Sequence, residues 1–276
     1  MHASSANFDV NKAIDDSALS TLQKLAYVYT ALAVVLDGFD GQMIGYAIPL
    51  IMKEWGVTRA AFSMAVASGL AGMAIGSLSA GIFADKFGRK PVLVASILLF
   101  GTSTLLIGQA ADIPTIALIR FFAGLGIGAA LPVATTLTAE FIPLRSRTMA
   151  VTTAIVCYPA GGMLAGLVAG KVLPVEGWRT FFLIGGAMPV VYALVLVFLL
   201  RESPKYLARQ SARWEELRAL MTRMAHNVEQ VREFTDGVID SARQGSLRAL
   251  AGCFGFSGDD VEKPCRVLSG GEKRRV

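Results

Sequence analysis

The sequence predicts an all-α membrane protein: six transmembrane helices, then an amphipathic helix lying in the cytoplasm. Three observations carry this. Of 276 residues, 54% are hydrophobic and only 17% charged, against about 25% charged in soluble domains. The apolar residues gather in six runs of about the 20 residues that a bilayer core of ~30 Å demands. Lysine and arginine concentrate in alternate loops between those runs, as membrane topology requires.

Residues 1–24 form a polar tail with charges of both signs. The tail lacks the basic, apolar, small-residue order of a cleaved signal, so the first apolar run is expected to stay in the mature protein. The transmembrane domain covers 25–200, with spans at 25–48, 62–84, 92–111, 115–138, 148–172 and 180–200. Alternating ten-residue strands, the signature of a membrane barrel, do not occur. Glycine is abundant inside the spans. That would weaken a helix in water, but in lipid it lets helices approach closely. The loops after spans 2, 4 and 6 carry Lys86, Arg89 and Lys90, then Arg145 and Arg147, then Arg201, Lys205, Arg209 and Arg213. The opposite loops are poorer in positive charge, which puts both termini in the cytoplasm. After span 6, within a cytoplasmic segment 201–240, Trp214, Leu217, Met221, Met224, Val228 and Val231 alternate at spacings of 3 and 4. This is an amphipathic helix. A partner-binding or membrane-surface role is the plainer alternative to a loop within a larger carrier.

Composition also narrows the function. The net charge of +5 resides at span ends, and no basic-aromatic platform for nucleic acid is visible. Cys157, Cys253 and Cys265 are odd in number and include no C-x-x-C, while His2 and His226 lie far apart. Neither a disulfide framework, a metal site nor a cofactor is expected, and no catalytic constellation marks an enzyme.

The chemistry sits inside the spans. Asp37-Gly38-Phe39-Asp40 puts two carboxylates at i and i+3 in span 1, on one helix face. A charge at the bilayer centre costs about 2.5–3.5 kcal/mol on insertion scales, so the pair needs a polar cavity or partners. Two crowded carboxylates share a proton more readily than both ionise. The plainer alternative is a pair that only bends or caps the helix at Gly38. Span 4 holds Arg120. Asp40 lies roughly 22 Å from the inner end of its span, and Arg120 roughly 8 Å from the outer end of its own, at 1.5 Å per residue. The depths match in a core of about 30 Å. Arg120 can therefore meet an anion or an aspartate, the alternative being an arginine that snorkels outward.

The loop Gly81-Ile82-Phe83-Ala84-Asp85-Lys86-Phe87-Gly88-Arg89-Lys90 resembles the G-x-x-x-D-[RK]-x-G-[RK]-[RK] signature of the major facilitator superfamily. Arg120 to Gly128 is similar to the family's R-x-x-x-G-x-G-x-G segment. Glu140 to Arg147 is similar to E-x-x-P-x-x-x-R, and Glu202-Ser203-Pro204-Lys205-Tyr206-Leu207 to E-S-P-[RK]-[FWY]-L. The resemblance covers about residues 20–235 and implies one half of that fold, two inverted three-helix units. Asp37-Gly38-Phe39-Asp40 further resembles the D-G-[FY]-D of aromatic acid:proton symporters of the bacterial inner membrane. It implies proton coupling at Asp37 and Asp40. It also implies binding of a benzoate-like or hydroxybenzoate-like carboxylate at Arg120 with Asp40, and a cytoplasmic gate of Gly81, Asp85, Gly88, Arg89, Glu140 and Arg147. Tyr158-Pro159-Ala160-Gly161-Gly162 only partly resembles the antiporter G-P-x-x-G segment; a proline kink among small residues is the plainer reading.

Two departures stand out. The family's carriers have twelve spans, so a second half or self-association would be needed for a complete path. Residues 241–276 belong elsewhere: Leu268-Ser269-Gly270-Gly271-Glu272 resembles the ATP-binding-cassette signature, F-type in its surroundings. No phosphate-binding loop accompanies it. A gene fusion, a shifted reading frame or a truncated product is expected there. The competing functions are a carrier for another organic acid or a sugar, and a membrane-anchored nucleotide-binding protein, for which ATP binding is expected to be nil.

Overall fold

The computed structural model describes residues 14–15, 19–210 and 213–224; the cassette-like tail and Val228 and Val231 lie outside them. Five helical runs are long and apolar enough to cross a membrane. They are α1 (Thr21–Trp55), α2 (Arg59–Phe87), α3 (Arg89–Ile107), α4 (Ile113–Phe141) and α5 (Leu144–Leu199). Two short helices follow, α6 (Pro204–Ala208) and α7 (Trp214–Met224).

Six spans were expected and five runs appear because α5 is two spans joined end to end. Its 56 residues would reach roughly 84 Å if straight, nearly three bilayer cores. Gly177 interrupts it with φ 79 and ψ 178, a conformation that glycine adopts without a Cβ clash. Packing proves the reversal. A Cβ added at Gly161 would fall 2.7 Å from the Phe39 nitrogen, and one at Gly185 would fall 3.2 Å from the Phe39 ring. Those glycines would stand about 36 Å apart on a straight helix. The run therefore folds back into limbs 144–176 and 178–199. A loop of several residues near 173–179 was expected; a single glycine does its work.

The ends follow capping chemistry. Ser20 accepts from the Gln23 backbone N–H at 3.3 Å, while the Gln23 side chain accepts from the Ser20 N–H at 2.8 Å, a reciprocal box that starts α1. Asp112 accepts from the Thr115 N–H at 2.7 Å and starts α4.

Small residues set the helix spacing, since lipid offers no hydrophobic force between helices. Gly124 and Gly128 of α4, one turn apart, meet α2, whose backbone at Gly69 and Met73 would collide with an added Cβ. Gly126 points the other way, where a Cβ would stand 2.6 Å from the Ser96 carbonyl of α3. The three glycines of the span-4 motif thus serve two helix contacts. Gly38 and Gly161 do the same between α1 and limb 144–176. Gly161→Ala is expected to lower stability by about 1–3 kcal/mol, the usual penalty of overpacking. Gly170→Ala, where a Cβ meets nothing within 4 Å, is expected to leave thermal melting in detergent unchanged. Equal melting of both variants contradicts this.

Leu217, Leu220, Met221 and Met224 of α7 are buried in the same apolar cluster as Ala26 of α1 and Leu207 of α6. Within the described residues, this helix spends its apolar face on the bundle, not on an outside partner or a membrane surface.

Candidate functional site

Four elements bring polar groups to one place inside the apolar bundle. α1 contributes Asp37 and Asp40, both with 0% exposure, and α4 contributes Arg120 at 6%. α3 contributes Thr104, whose hydroxyl donates a hydrogen bond to Asp40 Oδ1. Limb 144–176 contributes Tyr158, close enough to interact electrostatically with Asp37, Asp40 and Arg120. Arg120 and Asp40 likewise feel each other's charge, although they form no direct ion pair. Gly69 leaves room for the guanidinium: a Cβ there would lie 3.4 Å from Arg120 Nε.

Five buried atoms in this group have no hydrogen-bond partner among the described residues: both Asp37 oxygens, Asp40 Oδ2, and Arg120 Nε and Nη1. Such groups are rare in folded proteins because each is costly. Together they present acceptors and a cation's donors side by side, the chemistry that holds a carboxylate and exchanges a proton. No cluster of three His, Cys, Asp or Glu able to hold a metal exists among the described residues.

A second cluster closes one end of the bundle. Arg89 binds Asp85 at 2.7 Å, Glu140 at 3.2 Å and the Ala84 carbonyl at 3.0 Å. Glu202 Oε1 accepts from the backbone N–H groups of Arg89, Lys90 and Ser203 at 3.0, 3.1 and 2.9 Å. Gly88 has φ 105, and a Cβ there would stand 3.0 Å from the Glu202 carboxyl carbon and 3.1 Å from the Tyr206 ring. Only glycine fits that backbone and that space.

The structure brings Asp85, Gly88, Arg89 and Glu140 together. It does not join Arg147 or Gly81 to them. Arg147 turns to Asp15 at 3.4 Å and to the Ile142 carbonyl at 3.4 Å. Gly81 is exposed, and a Cβ there would meet nothing within 4 Å. Sequence reasoning missed Thr104, Tyr158 and the hub role of Glu202. The available signals were weak: Tyr158 precedes a proline in a small-residue stretch, and Glu202 lies in a recognised segment.

Buried acids and a buried arginine between apolar helices long enough to cross a membrane define an integral membrane protein with a polar interior. The Major Facilitator Superfamily model matches residues 30–258, and the chain belongs to that family. It is 35% identical over 230 residues to the 4-hydroxybenzoate transporter PcaK of Acinetobacter baylyi, covering 83% of this chain and 50% of the relative. It is 35% identical over 219 residues to the gallate transporter of Pseudomonas putida, covering 79% and 49%. The chain spans about half the length of these curated relatives. Its fold matches the partially occluded, inward-open xylose transporter XylE of E. coli with a TM-score of 0.65 at 17% identity, covering 85% of this chain and 62% of that one.

Proposed function

We propose that the chain is the first half of a proton-coupled carrier for small aromatic carboxylates, a transporter and not an enzyme, in the bacterial inner membrane. The carrying observation is the group of five unpartnered buried polar atoms on Asp37, Asp40 and Arg120. Arg120 binds the carboxylate, Asp40 shares that contact, and Asp37 and Asp40 handle the proton. Relatives of the chain include a 4-hydroxybenzoate transporter and a gallate transporter, which supports the substrate class. Both termini face the cytoplasm, where the basic loops after the even-numbered spans lie. Asp85, Gly88, Arg89 and Glu140 then form the cytoplasmic gate with Glu202, while Gly81 and Arg147 flank it. A second six-span half, or a second copy of this one, completes the path, and α6 and α7 lie against the cytoplasmic end.

Uptake of radiolabelled 4-hydroxybenzoate tests this in cells that also express a second six-span half. Uptake is expected to collapse with a protonophore and to fall with excess benzoate but not with excess xylose. Inhibition by xylose, or uptake indifferent to the proton gradient, refutes the reading.

A further inference from the structure

We propose that Thr104 is the positioning residue of the site: its hydroxyl holds Asp40 by one oxygen and leaves Oδ2 open to proton and substrate. The inference rests on Asp40 being a proton carrier, as proposed above.

The first support is how Thr104 spends its hydroxyl. A threonine inside a helix commonly returns its hydroxyl to a carbonyl one turn back. Thr102, Thr135 and Thr153 do so, donating to the carbonyls of Leu98, Leu131 and Met149 at 2.6, 3.0 and 2.8 Å. Thr104, 1% exposed, instead donates across helices to Asp40.

The second support is the rigidity of its mount. On one side of Thr104, a Cβ on Gly101 would lie 3.0 Å from Val190 and 3.1 Å from Pro189. On the other, a Cβ on Gly186 would lie 2.6 Å from the Leu105 nitrogen. Limb 178–199 thus packs tightly on both flanks of Thr104, through side chains at Gly101 and through backbone at Leu105, and fixes where its hydroxyl stands relative to α1.

The third support is chemical. Asp40 is faced by Asp37 on its own helix, Thr104 on α3, Arg120 on α4 and Tyr158 on limb 144–176. The charge of Arg120 attracts Asp40 only while the carboxyl is ionised. A protonated carboxyl keeps an acceptor oxygen, and with the proton on Oδ2 that acceptor is Oδ1, the atom to which Thr104 donates. Thr104 therefore keeps a hydrogen bond to Asp40 in both proton states and holds the carboxyl still while the proton comes and goes. The proton itself passes at Oδ2, the oxygen without a partner.

Infrared difference spectroscopy of the 276-residue chain in lipid tests this without requiring transport. The carboxylic-acid band that appears on acidification and vanishes in Asp40→Asn belongs to Asp40. In Thr104→Val, which keeps the shape and removes the hydroxyl, that band is expected to move to higher frequency and broaden as the carboxyl loses its partner. Thr104→Ser is expected to restore the wild-type band, and Thr104→Ala to repeat the valine result should valine fold poorly. An unchanged band in both hydroxyl-free variants overturns the proposal. So does the absence of any Asp40-dependent acid band in the wild type. A band that behaves as expected in a chain whose completed carrier moves no aromatic acid sinks the transport reading and leaves the Thr104 assignment standing.

Discussion

Replacing Arg89 with methionine is expected to destabilise the protein by about 3–5 kcal/mol, the range for breaking a buried ion pair by removing one partner. The reason is what remains. Glu140 is 8% exposed, and its Oε2 has Arg89 at 3.2 Å as its countercharge. Without the guanidinium, a carboxylate is left in the interior with its desolvation unrepaid, and Asp85 loses a 2.7 Å contact. The pair between Arg179 and Glu54 at the opposite end of the bundle is shorter, at 2.6 Å. Its side chains, however, are 50% and 43% exposed, so Arg179→Met is expected to cost about 1 kcal/mol or less. Burial, not length, decides the ranking. The double variant Arg89→Met/Glu140→Met is expected to regain most of the loss, since neither charge is then stranded. Thermal melting in detergent reads all four proteins. Equal melting of Arg89→Met and Arg179→Met removes the argument.

What could be read from sequence here follows from what a bilayer punishes. The spans were legible because their length is imposed from outside by membrane thickness. Asp37, Asp40 and Arg120 were legible because each carries a charge where charge is expensive, and the depth arithmetic placed Asp40 beside Arg120, where their charges interact. Thr104 and Tyr158 were not legible in the same way. An uncharged polar residue in a span is ordinary, and only the crossing of α3 over α1 turns the Thr104 hydroxyl from its own helix to Asp40. Glu202 stood within a recognised segment, but its work depends on two N–H groups at Arg89 and Lys90, 113 and 112 residues away in the chain. The fold supplies that proximity. The reversal between spans 5 and 6 was legible, but its confinement to Gly177 was not, because helix continues to both sides of that single residue. Arg147 illustrates the opposite risk: the family motif it shares with Glu140 implied a common cluster, yet Asp15 from the N-terminal tail is the acid that meets it.

Asp40→Asn is expected to abolish proton-driven accumulation while leaving the protein inserted and folded. Asparagine keeps the shape of aspartate, and its side-chain carbonyl can still accept from Thr104, so the helix contacts of α1 survive. It cannot carry a proton or oppose the charge of Arg120, which acts on Asp40 in the native site. The size of the effect follows from the coupling. One proton moving with one monoanion transfers no net charge, so the pH gradient alone drives it. Since one pH unit corresponds to 1.36 kcal/mol, a gradient of that size supports about tenfold accumulation. In the variant the ratio is expected to fall to about one, because nothing ties substrate flux to proton flux. Asp37 adds a discriminating measurement. If both aspartates carried protons in each cycle, uptake would move positive charge inward and accumulation would rise with membrane potential. With Asp40 as the coupling acid, wild-type accumulation at fixed pH gradient is indifferent to a potassium-diffusion potential. Arg120→Lys keeps the charge of the site but not the planar, two-pronged donor geometry. It is expected to raise the KM for 4-hydroxybenzoate about tenfold, on the order of one lost charge-assisted hydrogen bond. Accumulation in Asp40→Asn equal to that of the wild type would show that the proton travels by another route and that Arg120 faces a merely structural acid.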